Sequence, residues 1–232
     1  MIVYKFIEGR VHHLDGAVYQ GKIIFFQPSS HIISNPFDFL HGQPLGSIMI
    51  NDVQEKEKWL EFANEVNLAL EFPDGVFHIE AIKSHDGGRY FIEVGVRPGG
   101  GYIVPNIEKH TGINLEKLHV LLQVKGNPFL ILKNAKNLSI GGFLNFPRSF
   151  SNSDSIVTQI KLPNFNDLKT LTHSTHVPRI GDRVSGDFSY IETLGNFFFS
   201  SSDYSAIEAD MNRISENYKV YTQPISKITN EL

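Results

Sequence analysis

The 232-residue sequence contains no cysteine, which excludes disulfide bonds, thiolate nucleophiles and cysteine-ligated zinc or iron. It also lacks any apolar run approaching the roughly 18 residues that a transmembrane helix needs. Neither sign of charge dominates, because 21 Lys and Arg stand against 25 Asp and Glu, for a formal net charge of −4. This mild acidity argues against binding to a nucleic-acid backbone. The first ten residues, MIVYKFIEGR, carry charges at positions 5, 8 and 10 and do not form a signal peptide, so we expect a cytoplasmic protein without nucleic-acid or membrane partners.

What remains is an ordinary globular composition, 41% hydrophobic and 20% charged, which can bury a sizeable core. The pattern of apolar residues predicts a mixed α+β fold with a largely antiparallel sheet. Residues 17–19 and 23–26 flank Gln20-Gly21-Lys22, which is typical of a hairpin. Residues 27–47, with several prolines and glycines, are predicted to be a loop. A helix is predicted after a capping-box-like Asp52, with its apolar face marked by Trp59, Ala63, Val66 and Leu70.

Downstream, two strands are predicted at 76–83 and 90–96, a short helix ending at Gly112, and a second helix capped by Asn114. Short β-like runs follow at 129–133, 138–146 and 155–162. Residues 181–184 and 194–200 are predicted to pair as a hairpin, and the last helix begins at Ser202 or Asp203.

The informative stretch is GVFHIEAIKSHDGGRYFIEVGVRPGGG, residues 75–101. If Asp86-Gly87 is a two-residue type I′ turn, Lys83 lies opposite Tyr90, Glu80 opposite Glu93, and His78 opposite Gly95. Because side chains alternate along a strand, one face then carries polar groups and the other is a predicted core formed by Phe77, Ile79, Ala81, Ile92, Val94 and Val96.

Two carboxylates directly opposite each other destabilise a sheet unless a cation lies between them. Oxygen ligands without cysteine favour a hard ion, Mg²⁺ or Mn²⁺, for which Glu80 and Glu93 are the candidate ligands. Arg97 adds a planar fork that suits phosphoryl or carboxylate oxygens. Gly99, Gly100 and Gly101 precede a predicted helix, where their amides could bind an anion.

A plainer interpretation competes with this one. Glu80 and Glu93 could be solvent-exposed residues on the outer face of an amphipathic hairpin, with Lys83 and Arg89 as neutralising cations. A run of glycines is often only a flexible loop. Two histidine pairs, His12 with His13 and His173 with His176, are interpreted as solvated strand or loop residues.

The same stretch resembles the ATP-grasp superfamily, whose members carry a glutamate on one strand and a glutamate followed by x-N-x-R on the next. The matching residues here are Glu80 in FHIE and Glu93 to Arg97 in EVGVR. Residues 100–107 and 110–115 are also similar, and the resemblance is strongest to the carboxylate–amine ligase branch, including bacterial L-amino-acid ligases. Residues 3–9 resemble the hinge strand that pairs with adenine, residues 13–16 the strand that follows it, and residues 181–184 and 194 onward the C-terminal hairpin and helix.

The resemblance implies a second ATP-grasp subdomain over 1–135 and a C-terminal α+β appendage over 136–232. It implies that Glu80 and Glu93 bridge Mg²⁺ to the phosphates of ATP and that Arg97 stabilises charge on the transferring phosphoryl group. The remaining cofactor-binding residues would be Tyr4, Lys5 and Ile7 at adenine, Glu8 and Asp15 near the ribose, His78, and Gly99 to Gly101. Gly95 replaces the usual metal-binding asparagine, which leaves two protein ligands.

In the superfamily, a subdomain with two phosphate-binding lysines precedes the hinge strand, so we expect this chain to represent the C-terminal part of such a ligase. The implied reaction joins a small carboxylate, such as an amino acid, to an amine through an acyl phosphate. The alternatives are a catalytically incomplete nucleotide- or metal-binding remnant, half of a split ligase that needs a partner chain or forms a homodimer, and a metal-binding β-domain unrelated to ATP.

Overall fold

The computed structural model describes residues 5–136, 139–148, 153–187 and 193–225. The strands are β1 (Gly9–Tyr19), β2 (Lys22–Ile32), β3 (Leu45–Met49), β4 (Gly75–Ser84), β5 (Arg89–Gly95), β6 (Ile140–Asn145), β7 (Ser155–Lys161), β8 (Leu171–Thr175), β9 (Arg183–Val184), β10 (Asn196–Ser201) and β11 (Lys219–Pro224). The helices are α1 (Pro36–Leu40), α2 (Val53–Leu70), α3 (Ile103–Thr111), α4 (Leu115–Gln123), α5 (Phe129–Leu132) and α6 (Tyr204–Asn217), with a 3₁₀ turn at Phe165–Asp167.

The chain divides into two compact units. The first takes the residues up to His31 and from Ile48 to Gly141, and the second takes Ile32–Ser47 and the residues from Gly142 onward. In the first unit, β5, β4, β1 and β2 are neighbours in that order, and each of these pairings is antiparallel. In the second unit, β6, β10 and β8 are consecutive in one sheet, and β11, β7 and β9 form another. The predicted α+β class with a mainly antiparallel sheet is confirmed.

Helix α2 covers one face of the first sheet with Trp59, Ala63 and Val66, as its apolar periodicity predicts, whereas Leu70, predicted on the same face, is 51% exposed. Asp52 caps it by accepting a hydrogen bond from the Glu55 amide at 2.8 Å. The core it forms with the sheet consists of buried residues from α2, β1 and β4, among them Trp59, Ala63, Val66, Leu14, Phe77, Ile79 and Ala81. The opposite face of the sheet is therefore the one that can carry polar groups.

Several local predictions are wrong. Residues 27–47 are not one loop, because β2 continues to Ile32 and α1 and β3 follow it. Pro28 lies opposite Leu14 within β2, and its carbonyl accepts a hydrogen bond from the Ile50 amide at 2.9 Å. A proline lacks the amide donor that a ladder uses, which is why the sequence pattern indicated a break there.

The predicted strand at 129–133 is helix α5. Asn127 starts this helical turn, since its side-chain oxygen accepts from the Phe129 amide at 3.0 Å. The predicted hairpin of 181–184 with 194–200 is also wrong, because β9 pairs with β7 and β10 pairs with β8. Each of these two strands therefore pairs with a strand earlier in the chain and not with the other.

Candidate metal and nucleotide site

Glu80 on β4 and Glu93 on β5 lie directly opposite each other, and His78 lies opposite Gly95, as predicted. The Glu80 side chain is 21% exposed, and Glu93 is exposed. The two carboxylates therefore share the face of the sheet that α2 does not cover. Residue alternation places both carboxylates on one face once they are opposite each other, whereas their register depends on the turn and on a bulge.

The turn that produces this register differs from the predicted one. The Ser84 amide donates to the Gly88 carbonyl at 2.9 Å and the Gly87 amide donates to the Ser84 carbonyl at 3.0 Å, so three residues lie between the paired strand ends. Gly87 has φ +89°, whereas Asp86 does not have positive φ, which excludes type I′. Lys83 consequently pairs with Arg89 and not with Tyr90.

A bulge between Glu80 and Ala81 restores the predicted register at the carboxylates, because Ile92 is the extra residue on β5. The bulge also removes Ile92 from the predicted core, and its side chain is 43% exposed. Val96, also predicted to be core, is 40% exposed. Phe77, Ile79 and Ala81 of β4 are buried as expected.

The cations that could have neutralised the two carboxylates are engaged elsewhere. Lys83 Nζ lies 2.8 Å from Glu55 Oε1 and Arg89 Nη2 lies 3.0 Å from the same oxygen. Within the described part of the chain, neither Glu80 nor Glu93 has a lysine or arginine nitrogen within ion-pair distance. The part of the plainer interpretation in which Lys83 and Arg89 neutralise the glutamates is therefore wrong, whereas the solvent exposure that it predicts holds for Glu93.

A buried histidine–aspartate cluster lies beside Glu80 on the same face. Asp15 on β1 is fully buried, and its two oxygens lie 2.6 Å from His13 Nδ1 and 2.9 Å from His78 Nδ1. His78 Nε2 lies 3.7 Å from Glu80 Oε1. Among the described residues, His13, Asp15 and His78 are the group whose side chains could hold a metal ion by proximity.

The cluster shifts the pKa of Asp15 and the pKa of His78. Burial alone would raise the pKa of Asp15, but the two histidines outweigh it and hold that pKa well below its usual range. Burial would lower the pKa of His78, but the Asp15 carboxylate, with a smaller contribution from Glu80, raises it to about 9. A protonated His78 thus balances the buried Asp15 charge.

His13 belongs to this cluster, and sequence reasoning missed it. The prediction that His12 and His13 are solvated is wrong, since they are 5% and 1% exposed. A signal was present, because His13 and Asp15 are two residues apart on one strand and must share a face. What the sequence did not reveal was that β1 lies next to β4, which brings Asp15 opposite His78.

The glycine run has one residue in a tight environment. A Cβ at Gly99 would lie 2.7 Å from Asp15 Oδ1 and 3.1 Å from His78 Nδ1, so the Gly99 backbone covers the pair. Gly100 and Gly101 face open space, and the predicted helix α3 begins at Ile103. An anion contact by these amides stays a prediction.

Arg97 is exposed and lies two residues past the end of β5, with its side chain extending back toward Gly95. Its Nη1 donates to the Pro98 carbonyl at 2.9 Å, and its Cγ and Nε are the atoms that a Cβ at Gly95 would meet at 3.2 Å. Gly95 therefore leaves room for the arginine side chain, on the face that carries Glu93.

The residues expected near adenine lie at the edge of the described chain. Tyr4 is outside the described residues, and the residues at 5–8 precede β1 and form no strand. Lys5 and Glu8 are exposed and Ile7 is half-buried, with Glu8 Oε1 3.8 Å from His85 Nε2. Contacts of Lys5, Ile7 and Glu8 with a nucleotide stay predictions.

Across the described residues, no helix has the length and apolar character to cross a membrane.

Comparison with known proteins shows similarity to L-amino acid ligases. No protein-family model matches the chain. The L-arginine-specific L-amino acid ligase of Bacillus subtilis is 31% identical over 134 residues, which is 56% of this chain and 31% of that protein. The L-amino acid ligase from Bacillus licheniformis superposes with a TM-score of 0.68 at 19% identity, over 94% of this chain and 55% of that one.

The biotin carboxylase domain of Hydrogenobacter thermophilus 2-oxoglutarate carboxylase, solved with MgADP and bicarbonate, superposes with a TM-score of 0.61 at 14% identity. The match covers 94% of this chain and 47% of that one. The chain therefore has the ATP-grasp fold, over about half the length of these structures. Its resemblance to the carboxylate–amine ligases of that superfamily is confirmed.

Proposed function

We propose that this chain carries the metal–nucleotide site of an ATP-dependent carboxylate–amine ligase, with Glu80 and Glu93 as ligands of Mg²⁺ or Mn²⁺. The observation that carries the proposal is the direct opposition of two glutamates, while Lys83 and Arg89 on the same hairpin both bind Glu55. A divalent ion would relieve the repulsion between these carboxylates and supply positive charge to the phosphates of ATP.

The residues fit such an ion by their chemistry. Both donors are carboxylate oxygens, which hard cations prefer, and Glu93 is accessible from solvent. Arg97 lies on the same face as Glu93, two residues past Gly95, so its guanidinium could contact the phosphoryl group in transfer. The MgADP in the structurally similar biotin carboxylase domain supports a nucleotide with Mg²⁺ as the ligand pair.

The proposed reaction has two steps, in which the chain's residues bind and orient the reactants. A carboxylate oxygen of the first substrate attacks the γ-phosphorus of ATP, and ADP leaves. The amine of the second substrate then attacks the acyl carbon of the resulting acyl phosphate, inorganic phosphate leaves, and the nitrogen loses a proton. The name of the curated relative supports amino acids as the substrate class.

Calorimetric titration with Mg²⁺ alone and with Mg·ATP tests the metal site. Glu93→Gln and Glu80→Gln remove one negative charge each, and we expect affinity for Mg·ATP to fall about 10-fold or more. Glu61→Gln on the exposed face of α2 is the matched control and should bind as the parent does. Equal binding by the parent and Glu93→Gln would overturn the site.

Catalysis is tested separately, by ATP-dependent phosphate release with pairs of amino acids. We expect release to require both substrates and to be lost in Arg97→Ala. Binding without release would leave a nucleotide-binding module in place of a ligase, and release that persists in Arg97→Ala would remove that residue from the mechanism.

A further inference from the structure

We propose that His78, held by Asp15, is a positioning residue that fixes the carboxylate of Glu80. The inference rests on the proposed function of Glu80 as a metal ligand. It assigns to Asp15 and His78 a role different from direct contact with the nucleotide.

The alignment of three side chains across two strands carries the inference. His78 and Glu80 are two residues apart on β4 and so share a face, and Asp15 lies opposite His78 on β1. Asp15 Oδ1 is 2.9 Å from His78 Nδ1, and His78 Nε2 is 3.7 Å from Glu80 Oε1. Because the two nitrogens lie on different sides of the imidazole ring, the bond to Asp15 sets the direction of the nitrogen that faces Glu80.

The surrounding packing prevents the ring from turning away. Asp15 is fully buried, and its second oxygen is bound to His13 at 2.6 Å, so the carboxylate is fixed from both sides. Gly99 lies against Asp15 and His78 so closely that a Cβ would come within 2.7 Å and 3.1 Å of them. The His78 side chain is 8% exposed and the Glu80 side chain 21%, which places Glu80 at the boundary between this cluster and solvent.

His78 Nε2 is at ion-pair distance from Glu80, and loss of such an outer partner of a ligand commonly weakens metal binding 10- to 100-fold. The competing arrangement is a metal ion within His13, Asp15 and His78 themselves. The geometry favours hydrogen bonds, because both Nδ1 atoms already lie at hydrogen-bond distance from the Asp15 oxygens.

Two substitutions of His78 separate its contact with Asp15 from its contact with Glu80. His78→Asn keeps a donor near the Nδ1 position and removes the atom that faces Glu80, whereas His78→Gln keeps a donor near the Nε2 position and removes the contact with Asp15. His12→Asn is the control, since His12 lies on the opposite face of β1, opposite Ala81 and beside Trp59, whereas His13 lies directly opposite Glu80. The readouts are Mn²⁺ affinity by electron paramagnetic resonance, thermal unfolding, and the carboxyl ¹³C signal of Glu80, assigned by its loss in Glu80→Gln.

We expect His78→Asn to bind Mn²⁺ about 10-fold more weakly and to shift the Glu80 signal, while His12→Asn changes neither. His78→Gln should keep the Glu80 signal and lower the melting temperature. An unchanged Mn²⁺ affinity and Glu80 signal in His78→Asn would overturn the proposal. If His78→Asn does not fold, a displaced Glu80 signal in His78→Gln overturns it.

Failure of the proposed function is distinguishable from failure of this inference. If the unmodified chain binds no Mn²⁺, the metal site fails, and the Glu80 signal in His78→Asn alone decides the positioning role. A transition metal that copurifies with the chain and is lost in Asp15→Asn would assign the cluster to metal binding and overturn the positioning account.

Discussion

Asp15 and Gly99 are in close contact within the candidate site. A buried carboxylate is stable only when its charge is paired and its oxygens are hydrogen-bonded, and His13 and His78 meet both needs. The Gly99 backbone covers this pair, which leaves no space for a side chain at that position. A glycine that sequence reasoning assigned to anion binding is therefore constrained first by packing.

Replacing Gly99 with alanine is expected to lower the free energy of unfolding by about 1–3 kcal/mol, because the new methyl group would collide with Asp15 Oδ1 and Ile103 Cγ2. Gly100→Ala is the matched control, since its Cβ would face open space, and it should change stability by less than about 0.5 kcal/mol. Urea denaturation measures both. A Gly99→Ala chain as stable as the control would show that the Asp15–His78 contact adapts readily.

At the scale of elements, Glu55 fixes the start of α2 to the β4–β5 hairpin. Its carboxylate binds Lys83 and Arg89, and the Arg89 guanidinium lies 4.7 Å above the Trp59 ring. Burial would raise the pKa of Glu55, but the hydrogen bond and charge of Lys83, followed by the charge of Arg89, lower it. This cluster draws both cations to the face opposite Glu80 and Glu93.

Glu55→Gln is expected to destabilise the chain by about 1–2 kcal/mol, since it weakens two charge-assisted hydrogen bonds of a partly buried carboxylate. The loss should shrink at high salt, which screens the parent's ion pairs. Denaturation of Glu55→Gln at low and at high salt, compared with the exposed Glu61→Gln, measures the difference. A loss that does not depend on salt would contradict the electrostatic account.

At the scale of the whole molecule, buried histidines set the response of stability to acid. Burial lowers the pKa of His12 and of His110 to about 4. The two residues are 5% and 3% exposed. The unfolded chain binds these protons near pH 6.5 and the folded chain near pH 4, so stability falls as the pH decreases between these values. Asp15 also makes the folded chain less stable as the pH decreases, but only at lower pH, because the fold lowers the pKa of its carboxyl group.

His110→Asn should reduce the stability lost between pH 6.5 and pH 4 by about 1–3 kcal/mol, since asparagine does not titrate and keeps a group near the Ser139 hydroxyl. Thermal unfolding across this pH range gives the slope. His85→Asn, at an exposed histidine, is the control and should leave the slope unchanged. The same slope in both variants would refute a neutral, buried His110.

Features that depend on neighbours along the chain could be predicted from the amino-acid pattern. The capped helix after Asp52 and the helix ended by Gly112 follow from periodicity and caps. The hairpin that brings Glu80 opposite Glu93 was predicted as well, but with a different turn, whose effect on the register is compensated by the bulge at Ile92. The motif around Glu80 and Glu93 was also sufficient for the resemblance to ATP-grasp ligases.

Features that depend on pairing between distant strands could not be predicted from the local amino-acid pattern. The neighbourhood of β1 and β4 brings Asp15 to His78 across 63 residues, and it is the reason a charged cluster is buried beside Glu80. The direction of Lys83 and Arg89 toward Glu55 followed from the packing of α2, which no local pattern specifies. Alternation along a strand fixes which side chains share a face, but only the packed fold fixes what lies against that face.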